Sequence, residues 1–486
     1  MGSDRITQDQ ISNHWIFNGI SADSGAYLWP KLSLEELSCQ ALGETIDSAR
    51  LRELERRHRR ATEAHLGVRE GVDPTDLSEA GWGVIFAASD ADVIPGWKDA
   101  LGPLLERRRS QAGERYREFC GEDGYQSGES KDAFLARHGM GPGAADPRRI
   151  PYYLLLVADP EAIPYSFQFQ LDVSYAVGRL QFDRDEEYGR YAQAVVRSEE
   201  GAMYRSKQVV LFGVRNPDDQ ATALSSEELI QPLAKALSTH HPAWTVQHCD
   251  KDNSTKADLK AILQDSMPAL LFTASHGMGF RRGHPLQKLH QGALLCSDWP
   301  GPLAWGEQPI PQHFYFSVDD LEKTQVGGMI LFLFACFGAG TPRFEDYGQP
   351  SEGSPRQLAD LAFISRLPQA LLCHPQGGAL AVVSHVERSS SWSFRWPGAV
   401  DQQAVFEDTL LRLMKGHPVG WAMEFFSSRY AEIAVLLSEK LRQITFGKRV
   451  NVPELAGLWT VNNDMRSFVI VGDPAVRISS SQHEDS

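Results

Sequence analysis

Two side chains in this chain of 486 residues combine a reactive type with an abrupt position. His276 closes the run Ala269-Leu-Leu-Phe-Thr-Ala-Ser-His-Gly277, and Cys336 closes Gly328-Met-Ile-Leu-Phe-Leu-Phe-Ala-Cys-Phe-Gly338. A thiol is only a few per cent ionised at neutral pH, so a cysteine nucleophile needs a base within reach. Its attack on a carbonyl also needs N–H donors for the oxyanion that forms. The glycine after His276 leaves room for a backbone N–H to approach the reacting carbon. The N–H groups of Gly277 and Cys336 are therefore the oxyanion-hole candidates. Each residue alone fits an inert strand-end side chain, whereas two matching motifs in this order fit a cysteine–histidine dyad.

The elements that must position this dyad are also legible. Each apolar run lacks helical period and is bounded by glycine, which predicts a strand covered on both faces. If the two strands are parallel neighbours, His276 and Cys336 emerge together at the carboxyl edge of an open α/β sheet. Upstream, strands are expected at 81–89, 152–158, 173–180, 208–214 and 244–248, with helices near 97–120, 186–200, 226–237 and 256–265. Downstream, 292–296 reads as an inserted hairpin, followed by strands at 378–386 and 468–478 and helices at 401–416 and 418–444. The alternation predicts a mostly parallel sheet with helices on both faces. The first 80 residues open on a turn-rich segment and continue as a charged helix from Thr45 to His65 with a thin apolar stripe. Gly-, Asp- and Ser-rich residues 121–146 read as the main linker or surface loop, and 479–486 as a disordered tail.

Composition excludes several function classes. A formal net charge of −15 argues against general nucleic-acid binding, which needs clustered Lys and Arg. The run Glu106-Arg-Arg-Arg109 is most simply the wet face of a helix. Six scattered cysteines without a CxxC pair read as reduced thiols, and the polar N-terminus carries no apolar signal-like core. No apolar run approaches the roughly 20 residues of a membrane span. The expectation is a cytoplasmic protein with no membrane association and no cofactor. His284 and His290 lack the neighbours of a metal site, so no metal is expected there. Cys373 and His374 adjoin in the chain and point apart, and the paired glycines at 327–328 and 377–378 do not open into phosphate loops.

Ser275-His-Gly277 and Ala335-Cys-Phe-Gly338 resemble the His-Gly and Ala-Cys signatures of the caspase-fold (clan CD) cysteine peptidases, which include caspases, legumain, separase, clostripain, gingipains and the bacterial CHAT proteases. The likeness to the gingipain branch extends over most of 150–480. It rests on Leu154-Leu-Leu-Val-Ala-Asp-Pro-Glu-Ala-Ile-Pro164, Val177-Gly-Arg179 with the Tyr188 helix, Gly378-Ala-Leu-Ala-Val-Val-Ser with Ser391-Trp392, and Val471-Gly-Asp-Pro474. Residues 1–145 have no counterpart in that secreted branch.

The resemblance implies a caspase-like α/β/α sandwich at 207–480. A gingipain-like α/β subdomain at 146–206 would contribute to the specificity pocket, and 1–145 would form a partly helical accessory or regulatory region. It implies a cysteine endopeptidase in which Cys336 attacks and His276 carries the proton. The substrate is a protein cleaved after Arg or Lys, encoded nearby, and in a bacterial defence setting a pore-forming protein is one such partner. Asp172 is the candidate carboxylate for the basic side chain, with turn capping as its plain alternative. Trp392 and Glu387 are further pocket candidates, and Glu161 is a candidate to orient His276. Structural calcium stays open. The loop from Thr341 to Pro355 is where an activating partner, an ion or cleavage at Arg343 would reorder the site. Two rival readings keep the fold: a catalytically silent scaffold recruiting partners through 1–145, and a thiol acyltransferase or esterase using the same dyad.

Overall fold

The computed structural model describes residues 14–15, 18–28, 32–33, 67–250, 252–345, 356–396, 403–446, 448 and 450–479. The charged helix expected at 45–65 and the tail at 480–486 lie outside them, as does Cys39. Ten strands make one sheet: β1 (Trp82–Phe86), β2 (Tyr116–Phe119), β3 (Tyr153–Val157), β4 (Ala176–Leu180), β5 (Ser206–Gly213), β6 (Thr245–Cys249), β7 (Pro268–Ala274), β8 (Ile330–Phe334), β9 (Ala381–His385) and β10 (Phe468–Gly472). Their spatial order is β2-β1-β3-β4-β10-β9-β8-β7-β5-β6. The first five are mutually parallel, as are the last five, and the halves meet antiparallel where β9 pairs with β10. The chain is an α/β protein with a mostly parallel sheet.

The apolar runs behave as their composition dictates. Every residue of β7 and β8 is buried, and the same holds for β1, β3, β4, β9 and β10. A strand without an exposed alternate position must be covered on both faces, so the helices between strands pack on both sides.

Several local expectations differ from what forms. The stretch 97–120 is not one helix. It breaks into Ile94–Ala100 and Gly102–Ala112, then gives β2, because Pro103 suits a helix start and not an interior. Helices also form at Lys131–Arg137, inside the stretch read as a linker or surface loop, at Tyr165–Leu171 and at Val452–Arg466, none of them foreseen. Residues 82–119, expected in an accessory region, supply β1 and β2 to the same sheet as β3.

A buried ion cluster ties that N-terminal half to the end of β10. Arg108 on the Gly102–Ala112 helix pairs with Asp473 (2.7 Å) and Glu199 (2.6 Å), and all three are almost wholly buried. Asp473 also accepts from the Trp82 indole N–H at 2.9 Å. This gives the Gly472-Asp473-Pro474 turn a physical role. Removing one partner of a buried ion group strands the remaining charges in low dielectric. Arg108→Ala is expected to lower unfolding stability by about 3–5 kcal/mol in urea titration, with folding retained.

Candidate functional site

Register brings the two reactive residues together. In the parallel β7–β8 pair, Ala274 lies opposite Phe334, and His276 and Cys336 each stand two residues further on. Their main chains touch: a Cβ built on Gly277 would sit 1.8 Å from the Cys336 carbonyl oxygen and 2.9 Å from its nitrogen. Only glycine fits there, which fixes the two peptides against one another. After Cys336 the chain turns sharply. Phe337 has φ +58°, a left-handed conformation that costs a non-glycine residue about 1–3 kcal/mol. The turn is held by the Phe337 N–H, which donates to the Glu387 carbonyl at 2.5 Å.

Two neighbouring strands complete the edge. Beyond β5, Asp219 caps the short helix Gln220–Ser225 by accepting from the Ala221 N–H, and its other oxygen lies 2.5 Å from His276 Nε2. Beyond β9, the Ser389 N–H donates to Cys336 Sγ at 3.2 Å. That loop is held from behind by Asp464 of the Val452–Arg466 helix, which accepts from the Ser390 N–H at 3.1 Å. Four adjacent strands, β5, β7, β8 and β9, thus deliver Asp219, His276, Cys336 and Ser389 to one edge.

The N-terminal segment is built into this edge. Gly19–Ser21 pairs in parallel with Gly277–Gly279, and the Asn18 N–H donates to the Ser389 carbonyl. The Tyr27 hydroxyl donates to Asp219, and its ring stands edge-on to His276 at 5.5 Å. Leu28, Leu358, Trp392 and Trp459 pack against the cluster of Cys336, Phe337 and Ala456.

The electrostatics follow from this packing. Burial alone would raise the Asp219 carboxyl, but the His276 ring and the Tyr27 and Thr222 hydroxyls outweigh it and hold the group below its usual value. A carboxylate at Nε2 selects the Nε2–H tautomer and leaves Nδ1 as the basic nitrogen. Nδ1 is buried and has no hydrogen-bond partner among the described residues. Cys336 is fully buried, and desolvation pushes its thiol up to about 12 against the weaker opposing pull of the Ser389 donors and Arg388. In this closed arrangement the sulfur is a neutral thiol.

Other expected residues fall elsewhere. Glu161 does not orient His276; its carboxylate accepts from the Ala362 N–H at 2.6 Å, and Asp219 holds the imidazole instead. Asp172 follows the Tyr165–Leu171 helix, and its carboxyl is buried and raised well above the ordinary value by desolvation, with a lesser opposing pull from the Val177 N–H. It lines a cavity of about 20 Å³ with Phe169, Phe426, Tyr430 and Arg466, and neither Cys336 nor His276 lines that space. Trp392 packs against the cluster of Cys336, Phe337 and Ala456. Glu387 accepts from the Phe337 N–H through its backbone carbonyl, while its carboxylate lies 3.5 Å from Arg388. His290 contacts Asp319 and Tyr315, His284 contacts Asp23, and no group of three or more metal-ligating side chains occurs among the described residues. No described helix is long and apolar enough to cross a membrane.

No family model matches this sequence, and no curated protein matches it. Among solved structures, one described as a protease aligns with 83% of this chain and 80% of its own at 12% identity and a TM-score of 0.47. The complex of the pro- and mature domains of Porphyromonas gingivalis RgpB aligns with 82% of this chain and 80% of its own, at 12% identity and a TM-score of 0.46. The Saccharomyces cerevisiae separase–securin complex aligns with 67% of this chain and 16% of its own, at 12% identity and a TM-score of 0.30.

Two measurements check the site's electrostatics. An Asp with a depressed folded pKa stabilises the fold above its unfolded pKa, and that contribution disappears as pH falls through the folded value. Asp219→Asn should therefore be less stable than the parent at pH 7, with the difference shrinking as pH falls below the ordinary aspartate range. Iodoacetamide should label the buried Cys336 more slowly at pH 7 than the partly exposed Cys120, read by peptide mass spectrometry.

Proposed function

We propose that the chain is a cysteine endopeptidase of the caspase-fold type, seen here in a closed state. The observation that carries this reading is the joint placement of Cys336, His276 and Asp219 on neighbouring strand ends, with the Gly277 and Cys336 peptides in contact. Cys336 is the nucleophile. His276 takes the thiol proton at Nδ1 and returns it to the leaving amine, and Asp219 holds the ring and stabilises the imidazolium. The N–H groups of Gly277 and Cys336 are the proposed donors to the oxyanion. Glycine at 277 is then required twice, for packing and for access to the carbonyl.

The buried neutral thiol supports latency. Leu28, Leu358, Trp392 and Trp459 must shift before a peptide carbonyl can reach the sulfur. The same burial is the one feature favouring a silent scaffold, so the test must separate the two. The preference for Arg or Lys rested on Asp172, which lines a different cavity, and no carboxylate among the described residues lines the one beside Phe337.

A peptidyl acyloxymethyl ketone should label Cys336 in the wild type and not in His276→Ala. Peptide-library cleavage should fall by about 10³-fold or more in Cys336→Ala and in His276→Ala, with circular dichroism unchanged. A Cys336 that remains unlabelled, with no cleavage, both in the native protein and after limited trypsin treatment would establish the scaffold reading. Cleavage of a chromogenic ester with no peptide cleaved would establish the esterase reading.

A further inference from the structure

Beside the nucleophile a cleft of about 470 Å³ opens between the N-terminal segment and the Arg356–Leu358 loop. Its apolar wall is Leu28, Phe280, Phe337 and Leu358, so it begins at the residue that follows Cys336. Its charged wall is Arg281, Arg282 and Arg356, and among the described residues no Asp or Glu contributes to the lining. Three guanidiniums gathered at one cleft run against the trend of a chain whose formal net charge is −15.

The geometry of these cations bears on what they can hold. Arg282 is engaged side-on, through Nε, by Asp360 at 2.5 Å. Arg281 lies 3.5 Å, again through Nε, from Asp23, a carboxylate it shares with His284. Side-on pairing leaves the terminal nitrogens of a guanidinium, the fork that grips a carboxylate bidentately, turned to other partners. Arg356 has no carboxylate partner among the described residues. Both Arg281 and Arg282 are more than half exposed, so their heads are hydrated and cost little to bring onto a ligand.

We infer that this cleft is a subsite for an acidic side chain, Glu or Asp, flanking the scissile bond of the protein substrate. The inference deepens the peptidase reading and depends on it for its meaning. The apolar wall takes the methylene stem, and the Arg282 and Arg356 forks take the carboxylate. This reverses the charge preference expected from Asp172. The Tyr27 hydroxyl and Ser24 border the same cleft, so the N-terminal segment would help to form the subsite as well as cover the thiol.

The test reads binding apart from turnover. Cys336→Ala protein is titrated with a fluorescein-labelled decapeptide carrying Glu on both sides of a central Ala-Ala, and with its Gln counterpart, by fluorescence anisotropy. The Glu peptide should bind at least tenfold more tightly at 50 mM salt, with the difference shrinking at 300 mM. The added double substitution Arg282→Glu and Arg356→Glu should abolish the difference while leaving the thermal unfolding midpoint in place. Equal affinity for the two peptides, absence of binding by both, or a preference that survives the double substitution would overturn the inference. Failure of the peptidase reading would appear separately, as an unlabelled Cys336 in the wild-type protein.

Discussion

The contact between the Gly277 and Cys336 peptides constrains everything else at this edge. Two strands that end in register, with main chains close enough to exclude a Cβ, set where an imidazole and a thiol can stand. That register is enforced from below. β7 and β8 are buried along their whole length, with Phe272 stacked on Phe332 at 4.8 Å. A one-residue slip would send every side chain to the opposite face. The hydrophobic effect that closes the sheet therefore also aims the reactive groups. The backbone strain at Phe337 is offset by the same packing.

On this frame the charges arrange themselves by proximity. Asp219 can stay ionised in a buried position because an imidazole N–H and two hydroxyls donate to it, and its charge in turn dictates which nitrogen of His276 is basic. Cys336 has weak donors and a shell of Leu and Trp side chains, so desolvation dominates and the thiol keeps its proton. An imidazole and a protonated thiol thus stand at one sheet edge, the first held by a carboxylate and the second kept neutral by burial. The N-terminal segment reaches both groups, through Tyr27 on the carboxylate and Leu28 against the cluster that holds Cys336.

Much of the fold was legible from local pattern. Strands buried on both faces are continuous apolar runs, and glycine marks where they stop, so β7, β8 and the placement of His276 and Cys336 just beyond their ends could be read directly. The helix at 452–466 was harder to see because its residues are buried on nearly all sides and leave no amphipathic stripe. The missing helix cost the reading Trp459 and Asp464, which wall the site and hold the Ser389–Ser390 loop.

The partner of His276 shows where local pattern runs out. Glu161 and Asp219 are both acidic residues after a strand, and only the strand order separates them. β5 lies beside β7, whereas β3 sits on the far side of the β10–β9 junction. Asp172 likewise looks like a pocket carboxylate until the sheet sends it to another cavity. By itself the sequence determined the strand ends, their chemistry and the α/β class, because these follow from the periodicity and type of near neighbours. The carboxylate on His276, the N-terminal segment over Cys336 and the arginine-lined cleft were decided only by tertiary structure, since each joins residues brought together by the order of strands across the sheet.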